Sequence, residues 1–170
     1  MVQIRYETFI DAINFDMPSI FLAGPTVRGN QPHLVSWRNE AVVYFRENDF
    51  EGNIIIPEFS DKLESDQNRF DIPVWEFEAL QRSHVIMFWI PRTRELIGLT
   101  TNHEHGYWMA RDRNKVVYGR PQDAYRISYL DIMWVEDNKS RFGKNSDCPI
   151  YTTLEKTVTA SIELVSARVV

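Results

Sequence analysis

Cysteine is close to absent. Its one occurrence, Cys148, leaves no partner for an internal disulfide, which excludes the disulfide-stapled scaffolds. Basic runs are missing as well: 19 Lys and Arg stand against 24 Asp and Glu, a net charge of -5. Binding to nucleic-acid polymers calls for clustered cations, so such a partner is not expected. The longest apolar run, Val85 to Ile90, falls far short of the roughly 20 residues of a membrane span. The first residues carry acids and no apolar segment of signal-peptide length, so the expected compartment is the cytoplasm. No glycine-flanked serine nucleophile occurs, and Cys148 sits in a polar stretch without an evident base, which disfavours acyl transfer. Internal repeats and low-complexity segments are absent.

What remains reads as a globular protein. An apolar fraction of 44% with 25% charged residues suits a packed core, and 170 residues suit a single domain over 1–170. Met1 to Met17 alternates weakly and reads as an edge strand or an arm. Ser19 to Ala23 is a short apolar run stopped by Gly24-Pro25, hence a buried strand. Leu34, Trp37, Ala41, Val42 and Phe45 follow at helical spacing, with Ser36 as a candidate cap. Asn53 to Pro57 predicts a second strand, Glu58 to Asn68 a loop, and Asp71 onward a helix with Pro73 in its first turn, ending before Ser83. Val85 to Ile90 predicts a third strand, Asn102 to Asp112 a helix, and Lys115 to Gly119 a fourth strand. Ile127 to Val135 alternates enough to predict a fifth strand, followed by a polar loop over Glu136 to Asp147. Thr152 to Val165 predicts an amphipathic last helix. Strands alternating with helices imply an α/β protein with a mostly parallel sheet covered on both faces. Its crevice lies at the carboxyl ends of the central strands, where the loops after the first three strands converge.

Glu104 is the carboxylate best placed for that crevice. Thr101-Asn102-His103-Glu104 also fits a capping box, a purely structural role that does not exclude a functional one. The flanking His103 and His105 invite a metal, but residues two apart on a helix are separated by about 200° and cannot share one ion. No metal site is therefore expected, unless His84 or His33 approaches in space. Asp71, Glu76 and Glu78 lie on the preceding helix, where a carboxylate is ordinarily just solvated; Glu76 is the best placed to look over the sheet. Two carboxyls in one pocket are the equipment for glycosidic cleavage. The loop Gly24-Pro25-Thr26-Val27-Arg28-Gly29-Asn30 is too irregular for a dinucleotide fingerprint and lacks a P-loop lysine. It reads either as a tight turn or as a cradle for a phosphate or a sugar hydroxyl, with Ser36, Trp37 and Arg38 as an adjoining wall. Trp75, Phe88 and Trp89 could stack a planar base, or serve as core.

These segments have a counterpart. Ile20 to Thr26, Ser36-Trp37-Arg38, Trp75-Glu76 ahead of Val85 to Pro91, and Thr100 to Gly106, in that order and spacing, resemble the nucleoside 2-deoxyribosyltransferase superfamily, and most of all its deoxyribosyltransferase-like branch. The likeness runs roughly from Ile20 to Gly119. It implies a flavodoxin-like fold, with a mostly parallel five-stranded sheet and helices on both faces, and a retaining double displacement without a cofactor. Glu104 matches the family's nucleophile, which attacks C1′ of a 2′-deoxynucleoside, and Glu76 falls where the family has an aspartate that protonates the leaving base. Attack by a second base makes a transferase. Attack by water makes a deoxynucleoside or deoxynucleoside 5′-monophosphate N-hydrolase, in which Arg28 and Gly29 match a 5′-phosphate contact. Thr152 and Thr153 match positions that reach a neighbouring subunit's pocket, which implies a homo-oligomer. Nucleosides or nucleotides and free nucleobases are the implied small-molecule partners.

The departures bear on substrate rather than fold. The family's tyrosine on the first strand is Phe21 here, so another donor, with Tyr107 as one candidate, has to orient the nucleophile. A commonly polar position for the sugar 3′-hydroxyl is Gly98, His105 replaces a small or apolar residue, and Glu76 is one methylene longer than aspartate. A third reading is a silent nucleotide-binding module that kept the fold. If Glu104 lies in the first helical turn, the macrodipole lowers its pKa and favours the anion.

Overall fold

The computed structural model describes residues 1–6, 8–27, 31, 33–58, 71–145, 147 and 149–169. Within them five strands form one sheet: β1 (Val2–Ile4), β2 (Ser19–Ala23), β3 (Asn53–Ile55), β4 (Val85–Trp89) and β5 (Val116–Gly119). The spatial order is β1-β3-β2-β4-β5, and every pairing is parallel. All residues of β2, β3, β4 and β5 are buried, which is why they read as unbroken apolar runs.

Among the described residues five α-helices cover the sheet: α1 (Trp37–Glu47), α2 (Asp71–Arg82), α3 (Leu99–Asp112), α4 (Ser128–Phe142) and α5 (Leu154–Val169). Alternate strand residues point to opposite layers. Ile20, Leu22, Met87 and Trp89 pack with Trp37 and Phe45 of α1 and Val158 of α5. Phe21, Ile86, Phe88 and Tyr118 pack with Leu80 of α2, Trp108 of α3 and Trp134 of α4. No described helix is long and apolar enough to cross a membrane.

Two expectations change. The fifth strand is not Ile127 to Val135, which is helical as part of α4 and runs on through the residues read as a loop, to Phe142. Ile127, Leu130, Trp134 and Asn138 are buried while Tyr129, Ile132 and Met133 are exposed, a spacing of three and four that fits 3.6 residues per turn and not two. The fifth strand comes instead from the N-terminal segment. β1 pairs with β3, Ile4 opposite Ile55, so only the start of the weakly alternating stretch is an edge strand and the described rest is an arm. The second change is the start of α3, three residues earlier than expected. Gly98 caps it in the left-handed region (φ 64°), where a side chain is strained and a Cβ would lie 2.7 Å from the Pro25 ring. Thr101 is thus buried inside the helix, and no capping box forms.

Leaving β2, the chain goes first to β3 on one side and then to β4 on the other. The order reverses between β2 and β4, which puts the crevice at their carboxyl ends.

Candidate active site

The floor of the crevice is built on Arg38. Ser36 caps α1 by accepting from the Arg38 amide at 3.3 Å, which places Arg38 at the second helical position under the end of β2. Its side chain is 1% exposed. Nε donates to the Leu22 carbonyl (2.9 Å), Nη2 to Gly24 (2.9 Å), and Nη1 to Pro25 (3.3 Å) and the Glu58 carboxylate (2.8 Å). The planar fork of an arginine is suited to so many fixed acceptors. Ser36 Oγ also donates to Glu58, at 2.8–2.9 Å, and Trp37 Nε1 to the Pro25 carbonyl at 3.0 Å. The turn after β2 is therefore held by α1 and by the end of β3. Gly24 is required there, since a Cβ would run into the Trp89 carbonyl oxygen.

Above this floor stand two carboxylates from different helices. Glu76 and Glu104 are each the sixth residue of their helix, α2 and α3, and both are half-buried. Burial is the largest cause that raises the Glu104 pKa, to about 8, followed by the negative charge of Glu76; Arg38 opposes both. Glu76 is raised as well, first by burial, with Arg38 and a hydrogen bond from Tyr6 acting the other way. The expected lowering by the helix macrodipole is thus reversed. Glu104 lies in the second turn of α3, beyond the free N–H groups on which that effect depends, and beside another acid. Two interacting acids release their protons as a pair. Over a window below about pH 8 the pair holds one carboxylate and one carboxylic acid.

Tyr6 completes the cluster. It lies two residues past β1, with its ring edge-on to Trp75 of α2 at 4.7 Å, while Trp75 Nε1 donates to the Thr8 carbonyl at 2.9 Å. Burial and the two neighbouring carboxylates raise the Tyr6 pKa, so the phenol keeps its proton and is a donor to Glu76. Phe21, where the resemblance implies a tyrosine, is fully buried in the core. The Tyr107 ring packs on Phe77 and Trp108. The sequence offered no signal for Tyr6, because a parallel edge pairing brings it in. Arg38 was visible as a wall but not as the anchor of three carbonyls.

The other expected positions divide. Gly24, Pro25, Trp37, Trp89 and Gly98 meet around the ends of β2 and β4, and Thr26 is exposed beside them. Thr152 and Thr153 lie beyond β5, next to Tyr151, which pairs with Gly119. Thr153 is exposed, and its Oγ1 accepts from the Lys156 amide at the start of α5. Arg28, Gly29 and Cys148 lie outside the described residues, as does most of the loop after Glu58. Two open depressions, one along α4 beside Glu136 and Lys144 and one along α5 beside Tyr151 and Glu155, contain none of the clustered residues.

The histidines serve elsewhere. His103 is exposed and His105 fully buried, on opposite sides of α3 as helical geometry requires. His105 packs on Phe88, Tyr118 and Trp134, and burial lowers its pKa to about 3, so it is neutral. His33 bonds Glu95 and His84 bonds Ser19. Among the described residues no three His, Cys, Asp or Glu are grouped to hold a metal.

A parallel sheet wound in both directions defines a flavodoxin-like α/β protein, and half-buried acids from two of its helices raise each other's claim to a proton near the Arg38-held turn. The model of the family described as nucleoside 2-deoxyribosyltransferase like matches residues 17–122, well over half of the chain. The chain belongs to that family. No curated protein matches it.

Proposed function

We propose that the protein is a single-domain enzyme that cleaves the N-glycosidic bond of a 2′-deoxynucleoside and transfers the deoxyribosyl group to a second nucleobase. The observation that carries this reading is the electrostatic coupling of Glu104 and Glu76 above the Arg38-held turn. In the singly protonated pair the proton rests on Glu104, whose pKa is the one raised to about 8, and the reacting form is the one in which it has passed to Glu76: the Glu104 carboxylate then attacks C1′ as the C1′–N bond breaks, and Glu76 gives its proton to the departing base. In the return step Glu76 takes a proton from the incoming base while that base attacks C1′ and frees Glu104. A 2′-deoxyribosyl centre lacks the withdrawing 2′-hydroxyl, so two carboxyls without a cofactor suffice for the chemistry. Trp89 and Trp37, buried against the turn, support exclusion of water from the intermediate.

Hydrolysis is the second reading, and the partial exposure of both carboxyls favours keeping it, because water then has access to the adduct. Self-association belongs to the proposal too. Tyr129, Ile132 and Met133 form an exposed apolar strip on α4 that supports a homo-oligomer.

Incubation with deoxyadenosine and free cytosine is expected to yield deoxycytidine, and Glu104→Ala to lower the rate at least a thousandfold, with a deoxyribosyl adduct on Glu104 seen by mass spectrometry. Base release without exchange at saturating acceptor selects the hydrolase. Binding of nucleosides or nucleotides without turnover in any pairing would sink both and leave a binding module.

A further inference from the structure

The matched family segment starts at residue 17, yet the cluster at the carboxyl pair includes a side chain from before it. Residues ahead of β2 form a strap along α2. Tyr6 reaches Glu76, the Thr8 carbonyl accepts from Trp75, and Asp11 and Phe15 engage Arg82 by an ion pair (3.3 Å) and by ring contact (4.3 Å). The strap is anchored at its start by β1, where the Ile56 amide donates to the Ile4 carbonyl at 2.8 Å. Tyr6 is thereby fixed at the carboxyl end of the sheet.

We propose that Tyr6 is a positioning residue for Glu76, donating its hydroxyl proton to the carboxylate and so stabilising the anion that Glu76 becomes after giving its proton to the leaving base. The proposal rests on the reading of Glu76 as the acid. The described groups facing Glu76 are three: Arg38 from α1 and Tyr6 from the strap favour its anion, and Glu104 on α3 is the other member of the pair. Arg38 is committed to three carbonyls and to Glu58, so its fork is not free to turn toward Glu76. The phenol is the neutral donor that can follow the carboxyl between its protonated and charged forms. It makes Glu76 a stronger acid in the first half-reaction and a weaker base in the second. A segment ahead of the matched residues thus enters the chemistry through one hydroxyl.

The test is Tyr6→Phe, which keeps the ring against Trp75, compared with wild type and with Asp11→Asn, which loosens the strap away from the hydroxyl. Carbon-13 NMR of labelled glutamate carboxyls follows the pair's ionisation whether or not the protein turns over. The first ionisation is expected to move up by about half a unit to one unit in Tyr6→Phe and to stay in place in Asp11→Asn. In the exchange assay kcat should fall about 10- to 100-fold with KM little changed, and the acid limb of the rate profile should move up with the NMR shift. A titration of Tyr6→Phe that overlays wild type overturns the proposal, as does an equal shift in Asp11→Asn. Absence of turnover in the wild type, with the NMR shift present, removes the proposed reaction and leaves the hydrogen bond's role in the pair intact.

Discussion

The two ends of the sheet treat their polar groups differently. At the amino end the buried or half-buried His84, Asn53 and Lys115 have neutral partners. His84 Nδ1 bonds Ser19 Oγ at 2.8 Å, Asn53 Nδ2 donates to the Asn14 carbonyl at 2.7 Å, and Lys115 donates to the carbonyls of Leu80, Gln81 and Ser83 at 2.7–3.1 Å. Lys115 thereby closes the C-terminal end of α2, where a cation also suits the macrodipole. At the carboxyl end three described carboxylates, Glu58, Glu76 and Glu104, gather around Arg38. Only Glu58 has an ion pair with it, at 2.8 Å. The lesson is that one buried cation serves support and the other serves an unbalanced site, although both work by gripping carbonyls. Like charges left facing each other oppose folding, and such sites are where chemistry is found.

Arg38→Met should break this comparison most severely. It strips the turn, orphans Glu58 and unscreens the pair, so stability should fall by about 3–5 kcal/mol and exchange should be lost; urea melts and the exchange assay read the two losses. Lys115→Met should separate them. Freeing the end of α2 costs about 1–3 kcal/mol in the same melts, with the exchange rate of the folded fraction within about twofold of wild type.

The mildest test is pH. Glu104 has a folded pKa of about 8 against a model value of 4.5, so the native state holds more protons than the unfolded one between those values. Its contribution to stability is therefore full below 4.5 and is lost as pH rises toward about 8. Glu104→Gln should raise Tm at pH 8 by about 3 °C and flatten that slope, seen by calorimetry from pH 5 to 8.5. The exchange rate of the wild type should decline as pH rises through about 8, where the pair loses its acid.

Much of the frame was legible because burial on both faces leaves a plain mark. The runs at Ile20 and Val85 are strands, and the α2 pattern from Asp71 to Arg82 needed no correction. Ile127 to Val135 misled because its apolar residues satisfy a period of two and of 3.6 at once, and only packing on Phe88 and Tyr118 chooses between them. Glu104 was found by its place after β4, yet its helix was entered late, since a glycine in the left-handed region can open a helix as well as a capping threonine. The coupling of Glu104 to Glu76 had no sequence mark. Neither did Tyr6, whose place depends on β1 meeting β3 about fifty residues away, nor the acceptors of Arg38, which are backbone carbonyls that every residue carries.

The contact of Gly24 with the Trp89 carbonyl limits how substrate choice can be re-engineered. The backbones leaving β2 and β4 touch there with no side chain between them. The exposed rim, Thr26 on one loop and Thr93 to Glu95 on the other, is open to exchange for new base-recognising residues. Gly24 is not, and a library that varies it would mostly sample chains whose two central strands no longer close.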